Sequence, residues 1–293
     1  MFGTILAAAL AVSSLMPSRP APNAAFDSGT IHAARCGSGG TTLVFSPGLG
    51  SGPWSWAEQI TRFSKDYTVY AITLDGFDGR AYAPRPDLFA AFSSDFWTFA
   101  SAQRLDKPIL IGHSLGGTLA LLLGETHPER LGGIVALDGL PVFPMLAQST
   151  VEQRNAAALQ LSGTIANESR EQLLAYDRGY MKQIGTVRDE LVDPAATRLA
   201  ASDPHAVAAW SQRDLSLDLR PELSKVTTPV VELMPYAPPS PYSKEQTLAF
   251  YQMLLGGAPH ANVVAIEGAR HFAMLDQPAA VDEAITQFLA QLR

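Results

Sequence analysis

Strand-like apolar runs alternate with helix-length amphipathic stretches along the chain from Gly40 onwards. The predicted strands are residues 41–45, 67–74, 108–111, 131–137, 229–233 and 262–266. The predicted helices lie around residues 56–63, 95–105, 115–125, 243–255 and 278–292. Such alternation is typical of a doubly wound α/β fold, in which a mostly parallel sheet is covered by helices on both faces.

The alternation stops between residues 139 and 228, where helical periodicity continues without a convincing strand. One amphipathic helix in this stretch is indicated by apolar residues three and four positions apart, which are Leu173, Tyr176, Tyr180 and Ile184. We therefore expect a helical cap at 139–228, inserted into a core that comprises 26–138 and 229–293. Ligands of open parallel sheets bind beyond the carboxyl ends of the strands, so such a cap would cover the ligand site.

The first residues form a distinct apolar segment. Phe2 to Met16 is rich in Ala and Leu, has about the length of a signal-peptide core and is short for a membrane span. We expect residues 1–25 to comprise a signal peptide and part of a Pro- and Ala-rich linker that extends over 18–27. The mature protein would then be periplasmic or secreted, without stable membrane insertion. Since no Lys or Arg precedes the run and 21–25 match a cleavage site poorly, a membrane anchor and a packed N-terminal segment stay open.

Composition narrows the classes of partner. Of the 293 residues, 47% are hydrophobic, which is enough for a large core and excludes intrinsic disorder. The net charge is −7 and Lys and Arg are scattered singly, which does not favour nucleic acid as a partner. Cys36 is the only cysteine, so an internal disulfide is impossible. Because no H-E-x-x-H motif, ligand cluster or Rossmann glycine fingerprint is present, we expect no metal and no cofactor.

A serine between two glycines is the strongest chemical signal in the chain. The motif Gly112-His113-Ser114-Leu115-Gly116 joins a predicted strand to a predicted helix. A reversal within so few residues strains the serine backbone, and side chains at the two glycine positions would collide with the strand and helix. Such a turn holds the Ser114 hydroxyl clear of the backbone as a nucleophile. The Leu115 N–H then lies at a helix N-terminus, where it can stabilise a developing negative charge.

A nucleophilic serine needs a base within hydrogen-bond reach and a third group that orients this base. His271 suits the role because it follows a predicted strand, within Gly268-Ala269-Arg270-His271-Phe272, at the same edge of the sheet as Ser114. The alternative is that His271 is a capping or surface residue. The other histidines are less suited, because they point away from the serine, end a helix, or lie in the cap or in turns; they are His113, His127, His205, His32 and His260.

With these motifs the chain resembles the α/β-hydrolase superfamily, specifically its capped, lipase- and esterase-like branch. The resemblance covers about 41–293 and rests on the serine motif, on the turn Gly48-Leu49-Gly50 and on the histidine motif before Gln277-Pro278. It implies that Ser114 attacks a carbonyl group and that His271 accepts and then donates the proton. Water would then hydrolyse the acyl-serine.

The oxyanion turn departs from the family pattern in one respect. The usual His-Gly before the oxyanion residue is here Pro47-Gly48. Since a backbone amide does the stabilising, the Leu49 N–H is still the expected partner of the Leu115 N–H. Gly50 as the donor and a purely structural turn are the alternatives.

The acid that would orient His271 departs from the pattern as well. Most relatives place it just after the strand that is here 229–233, but the following loop at 234–241 has no carboxylate. Asp138 ends the strand after the nucleophile helix, which is the alternative position that some relatives use. The chain order Ser, Asp, His is kept, and the resemblance therefore implies Asp138 as the acid.

Three other carboxylates are weaker candidates for a catalytic role, and of these only Glu245 is an alternative for the acid. Glu245 begins the predicted helix after the proline-rich loop, where a carboxylate also suits the helix dipole. Asp75 and Asp78 lie in the turn after an earlier strand and resemble a structural turn of the family. If Asp138 only caps a loop and Glu245 is not the acid, a weakened Ser-His dyad would remain.

Large apolar residues near the predicted site bear on the substrate. Trp54 follows the oxyanion turn, and Phe143 and Met145 follow Asp138, so each is a candidate for the substrate pocket, with core packing as an equal alternative. They favour a moderately hydrophobic small-molecule ester over a sugar or a charged compound. The first function class is thus a serine carboxylic-ester hydrolase. The alternatives are an acyltransferase or a hydrolase of amide or carbon-carbon bonds with the same triad, and a non-catalytic binding protein on this fold.

Overall fold

The computed structural model describes residue 16, residue 18 and residues 20–292. Within these residues the strands are β1 (Ala24–Ser28), β2 (Ile31–Cys36), β3 (Thr42–Ser46), β4 (Thr68–Leu74), β5 (Ile109–His113), β6 (Gly133–Leu137), β7 (Val230–Tyr236) and β8 (Ala261–Glu267). They form one sheet in the order β1-β2-β4-β3-β5-β6-β7-β8. Strand β2 is antiparallel to β1 and β4, and the other pairings are parallel. The predicted mostly parallel sheet is confirmed.

Helices cover both faces of the sheet. They are α1 (Ala57–Phe63), α2 (Leu88–Ala102), α3 (Leu115–Thr126), α4 (Val151–Ala166), α5 (Arg170–Tyr180), α6 (Asp189–Leu199), α7 (Pro204–Ser216), α8 (Lys244–Leu255), α9 (Ala273–Asp276) and α10 (Pro278–Gln291). Helices α2, α3 and α8 contribute to one core layer, and α1, α9 and α10 contribute to the other. The fold is therefore doubly wound, as the alternation predicted.

The central strands read as continuous apolar runs because both of their faces are buried. In β3, Leu43 and Phe45 pack into one layer and Val44 packs into the other, which is the two-residue alternation of a strand. Strands β3 to β6 are buried along their whole length. Their carboxyl ends form the edge of the sheet at which the candidate site lies.

Helices α4 to α7 lie between β6 and β7, in the stretch where the sequence predicts a helical cap, and are called the cap helices below. Helix α4 packs along α7, and Ile165, Leu173 and Ala208 form a small apolar cluster within the cap. The amphipathic helix predicted through Ile184 is α5, which ends at Tyr180 and is followed by a π-helical turn at Met181–Gly185. This turn brings the cap into contact with the segment that carries His271.

Two strands were not predicted from the sequence. The linker expected at 18–27 overlaps β1, and β2 follows it directly. Both strands contain Ala and charged residues that favour strands weakly, so pairing with the edge of β4 decides their conformation. Strand β7 is also longer than predicted, because Pro235 lies where β7 pairs with β8 alone and the absent N–H is tolerated.

The N-terminal predictions fall mainly outside the described residues. Of the apolar run from Phe2 to Met16, only Met16 is described, and it packs partly buried against the core layer of α1 and α10. Export through a signal peptide therefore stays a prediction. In the described part of the chain, no helix combines the length and the apolar character that a membrane crossing needs.

Candidate active site

Ser114 occupies the sharp turn between β5 and α3 that the glycine-flanked motif predicted. Its backbone, with φ of 50° and ψ of −122°, lies in a region that residues with a side chain rarely adopt. A Cβ atom at Gly112 would lie 2.2 Å from the Gly116 carbonyl oxygen, and one at Gly116 would lie 2.7 Å from the Pro47 carbonyl oxygen. Because neither contact is tolerable, both positions require glycine and the turn is fixed by its own sequence.

The structure brings the predicted acid and base together. Asp138 follows β6 and His271 follows β8, and the Asp138 Oδ2 atom lies 2.5 Å from the His271 Nδ1 atom. Each side chain is only 16% exposed. Ser114 and His271 line the same cavity without a direct hydrogen bond between them, and such contacts often tighten only when substrate binds.

The second oxygen of the Asp138 carboxylate is held by Tyr251, a residue of α8 that sequence reasoning missed. The Tyr251 hydroxyl donates a hydrogen bond to the Asp138 Oδ1 atom, and Tyr251 is 7% exposed. Burial, followed by the negative charge of Asp138, raises the pKa of Tyr251 well above its ordinary value. The hydroxyl therefore stays protonated as a donor, and it fixes the rotation of the carboxylate that faces His271.

Glu232, inside β7, holds the backbone that follows Asp138. Its Oε1 atom accepts a hydrogen bond of 3.2 Å from the Gly139 N–H, and the side chain is fully buried. Burial, with the nearby negative charge of Asp138, raises the pKa of Glu232 well above its ordinary value, which favours its neutral form. A single glutamate within the apolar strand Val230-Val231-Glu232-Leu233 was the sequence signal for it.

The segment that carries His271 is tied to the cap. The His271 N–H donates to the Ile184 carbonyl oxygen at 3.1 Å, and the Phe272 N–H donates to the Gly185 carbonyl oxygen at 2.8 Å. The buried Asp276 carboxylate is the centre of this connection. It accepts hydrogen bonds from the Arg270 N–H at 2.8 Å, from the Val187 N–H at 3.2 Å and from the Thr186 hydroxyl.

His113 lies beneath the catalytic candidate His271. Their ring centroids are 4.6 Å apart, and the His113 Nε2 atom lies 3.0 Å from the His271 carbonyl oxygen. Since a carbonyl oxygen can only accept, Nε2 is the protonated nitrogen. Burial, followed by the proximity of His271, lowers the pKa of His113 well below its ordinary value. His113 is thus a neutral residue that supports the backbone of His271, a role the sequence did not indicate.

Leu49 and Leu115 are the two residues whose backbone N–H groups the sequence predicts as oxyanion donors. Leu49 lies in the turn after β3 and lines the cavity, and Leu115 is the first residue of α3. Within the described hydrogen bonds, neither backbone N–H has an acceptor. Ser202, from the cap, donates a hydrogen bond of 2.7 Å to the Gly50 carbonyl oxygen and so holds the turn that carries Leu49.

Ser114, Asp138 and His271 open on a cavity of about 350 Å³ between the sheet and the cap. Phe143 and Met145 line it, as expected, and are 38% and 86% exposed. Trp54 was also predicted as a pocket residue, but it lies outside this cavity. Its ring stacks on Phe272 at 6.1 Å and is 4% exposed, because the turn after β3 directs it into the core.

The three weaker carboxylate candidates do not line the cavity. Glu245 is exposed in the first turn of α8 and accepts a hydrogen bond of 2.9 Å from the Ser243 hydroxyl. Asp75 accepts a hydrogen bond of 3.1 Å from the Ala83 N–H, and Asp78 forms an ion pair with Arg198 at 3.1 Å. All three carboxylates therefore have local structural partners. Throughout the described residues, no three His, Cys, Asp or Glu side chains are grouped so that they could hold a metal ion.

Comparison with known proteins gives a consistent picture at the level of the family. Residues 43–284 match the sequence profile of the alpha/beta hydrolase family. A RutD protein of Pseudomonas syringae pv. syringae, whose proposed activity is carbamate hydrolysis, is 25% identical over 85% of this chain and 93% of its own. The 1-acylglycerol-3-phosphate O-acyltransferase ABHD5 of Rattus norvegicus is 39% identical over 36% of this chain. The match spans only about a third, 32%, of that relative.

Solved structures show the same fold at lower sequence identity. A thermophilic esterase from Thermogutta terrifontis superposes with a TM-score of 0.74 at 18% identity, over 92% of this chain and 99% of its own. The enol-lactonase from Burkholderia xenovorans LB400 superposes with a TM-score of 0.70 at 18% identity, over 92% of this chain and 99% of its own. At such identities the likeness concerns the fold alone.

Proposed function

The chain belongs to the alpha/beta hydrolase family, and from this premise we propose that it is a serine hydrolase of carboxylic esters. One observation carries the proposal: a strained Ser114 and a hydrogen-bonded Asp138–His271 pair open on the same largely apolar cavity. The apolar lining favours moderately hydrophobic esters, since the free energy falls when apolar surfaces of the cavity and of an acyl or alkyl group are removed from water.

In the proposed reaction, the Ser114 hydroxyl attacks the ester carbonyl carbon while the His271 Nε2 atom accepts its proton. The negative charge that develops on the carbonyl oxygen is stabilised by the N–H groups of Leu49 and Leu115. Asp138 stabilises the imidazolium through Nδ1. His271 then donates the proton to the departing alkoxide, which leaves as the alcohol and an acyl-serine remains. A water molecule attacks this ester in the same way, so the carboxylic acid is released and Ser114 is restored.

Acyl transfer is the second candidate, because a relative similar over part of the chain is named an acyltransferase. It uses the same acyl-serine, with an alcohol or amine in the place of water. Hydrolysis of amide or carbon-carbon bonds also fits the triad. A binding protein without catalytic activity is disfavoured, because it would not need the strained backbone of Ser114.

A panel of p-nitrophenyl esters of increasing acyl length tests the proposal, with Ser114→Ala as the control. We expect hydrolysis by the wild type, labelling of Ser114 by a fluorophosphonate probe, and a fall in kcat of about 10⁴-fold or more in the variant. If no ester is cleaved and Ser114 is not labelled, the protein is not a serine hydrolase. Product analysis with added glycerol separates hydrolysis from acyl transfer.

A further inference from the structure

The charged side chains on the wall of the cavity are predominantly acidic. Its lining includes three carboxylates, Asp138, Asp177 and Asp214, and among the described lining residues there is no Lys and no Arg. Both carboxylate oxygens of Asp138 are hydrogen-bonded, one to His271 and the other to Tyr251. Asp177 on α5 and Asp214 on α7 come from two different cap helices and have no part in the proposed reaction.

Neither of these two side chains accepts a hydrogen bond or forms an ion pair within the described part of the chain. The arginines next to them in sequence pair elsewhere. Arg178 lies 2.5 Å from Asp193, and Arg213 lies 3.5 Å from Asp87, both on the outer surface. The cap helices thus direct a carboxylate into the cavity and the adjacent guanidinium away from it.

Two unpartnered carboxylates in a largely apolar cavity are costly for the free protein. The apolar surroundings raise the pKa of Asp214 to about 7 despite the nearby His271, and raise the pKa of Asp177 to about 7 with a further contribution from Glu168. A positive group placed beside them would remove this cost, because it would favour their ionised forms.

Aromatic rings complete the surroundings that a cation prefers. Tyr176 and Tyr180 line the same cavity, and the Tyr180 ring lies 6.1 Å from the ring of His271. The faces of such rings attract ammonium groups, most strongly where water is excluded. Anions, in contrast, would meet three carboxylates and no basic side chain.

We propose that the cavity selects esters carrying a positively charged nitrogen, an amine or quaternary ammonium, which Asp177 and Asp214 bind together with Tyr176 and Tyr180. This inference rests on the proposed ester hydrolysis and revises the uncharged substrate that the apolar residues of the sequence favoured. Esters that carry a carboxylate or phosphate group are rejected by the same charges.

Three p-nitrophenyl esters of equal length test the inference. Their acyl chains end in a trimethylammonium group, in the uncharged tert-butyl group of the same shape, or in a carboxylate. We expect kcat/KM to be about tenfold or more higher for the cation than for its uncharged isostere, and lowest for the anion. A parallel pair, a thiocholine ester and its 3,3-dimethylbutyl analogue, places the charge in the alcohol part.

The variants Asp177→Asn and Asp214→Asn should reduce the preference for the cation over its isostere by about tenfold. Glu171→Gln is the matched control, because it removes the same charge from an exposed position of α5, outside the cavity. We expect this control to leave the preference unchanged. Equal loss of preference in the control would show that the total charge of the cap, and not the two aspartates, attracts the cation.

The outcomes separate the inference from the function on which it rests. If the uncharged ester is hydrolysed and cations have no advantage in either the acyl or the alcohol part, the inference is overturned and the hydrolase stands. If no ester is hydrolysed, the inference can still be tested by calorimetric titration of Ser114→Ala with butyltrimethylammonium and with hexanoate. Binding of the cation but not of hexanoate, lost when Asp214→Asn is added to Ser114→Ala, supports the inference. Equal binding of the two ions, or binding of neither, overturns it.

Discussion

The two halves of the candidate site are built in different ways. The nucleophile half is local: Ser114, its glycines and the Leu115 N–H come from five consecutive residues at the junction of β5 and α3. The acid–base half is assembled from distant segments, and Asp138 and His271 are 133 positions apart. It also depends on Tyr251, Glu232 and the cap turn. Substitutions far from Ser114 in sequence should therefore impair proton transfer while they leave the nucleophile turn intact.

The largest expected effect comes from the acid itself. Asp138→Asn should lower kcat by about 10³- to 10⁴-fold, because the asparagine cannot stabilise the imidazolium and favours the wrong tautomer of His271. Steady-state hydrolysis of a p-nitrophenyl ester measures it. Glu245→Gln is the matched control, and we expect it to retain near wild-type kcat. The reverse result, activity kept in the first variant and lost in the second, would move the acid to Glu245.

A smaller effect is expected where the cap meets the base. Asp276→Asn removes the charge that holds Arg270, Thr186 and Val187 together. We expect the free energy of unfolding to fall by about 1.5–3 kcal/mol, and kcat/KM to fall by about 10- to 100-fold, because His271 is then less well positioned. Urea unfolding and ester kinetics measure the two effects.

Asp193→Asn is the control for this variant, since Asp193 and its partner Arg178 are both more than half exposed. We expect its free energy of unfolding to change by less than about 0.5 kcal/mol. A less stable Asp276→Asn protein with unchanged kcat/KM would show that the cap turn does not position His271.

Tyr251→Phe should have a smaller effect still. It removes one hydrogen bond to Asp138 and keeps the ring that packs in the core. We expect kcat to fall by about tenfold with little change in KM, because Tyr251 does not line the cavity. Tyr242→Phe, at a tyrosine that is 64% exposed, should leave both constants unchanged. A change in KM alone would contradict a positioning role for Tyr251.

The smallest effect on catalysis is expected at Glu232, where the change is in the pH dependence of stability. The pKa of Glu232 is raised in the folded protein, so the folded state binds this proton more tightly than the unfolded state. The tighter proton binding contributes to the free energy of unfolding, and this contribution is lost as the pH rises above the pKa that Glu232 has in the unfolded chain. Glu232→Gln cannot ionise and keeps an acceptor for the Gly139 N–H.

We expect the stability of Glu232→Gln relative to the wild type to increase as the pH rises above about 4.5, the ordinary pKa of a glutamate, as measured by urea unfolding at several pH values. Glu171→Gln, an exposed substitution of the same kind, is the control. Parallel pH profiles of wild type and Glu232→Gln would show that Glu232 does not titrate differently in the folded protein.

The sequence was sufficient where a few neighbouring residues decide the geometry. Gly112 and Gly116 predicted the turn at Ser114, because no side chain fits at either position. The apolar runs predicted the parallel strands, since buried strands of such a sheet have no polar face. The glycine-flanked serine and the apolar strand pattern are local constraints, because each depends on residues that are neighbours in the sequence.

The tertiary structure decided what depends on residues far apart in the chain. It formed β1 and β2 by pairing at the edge of the sheet, although their residues favour strands weakly. It buried Trp54 against Phe272 instead of in the cavity. Tyr251 and the carboxylates of the cap cavity had no signal in the sequence, because a side chain's partners and surrounding charges are set only when distant segments pack together.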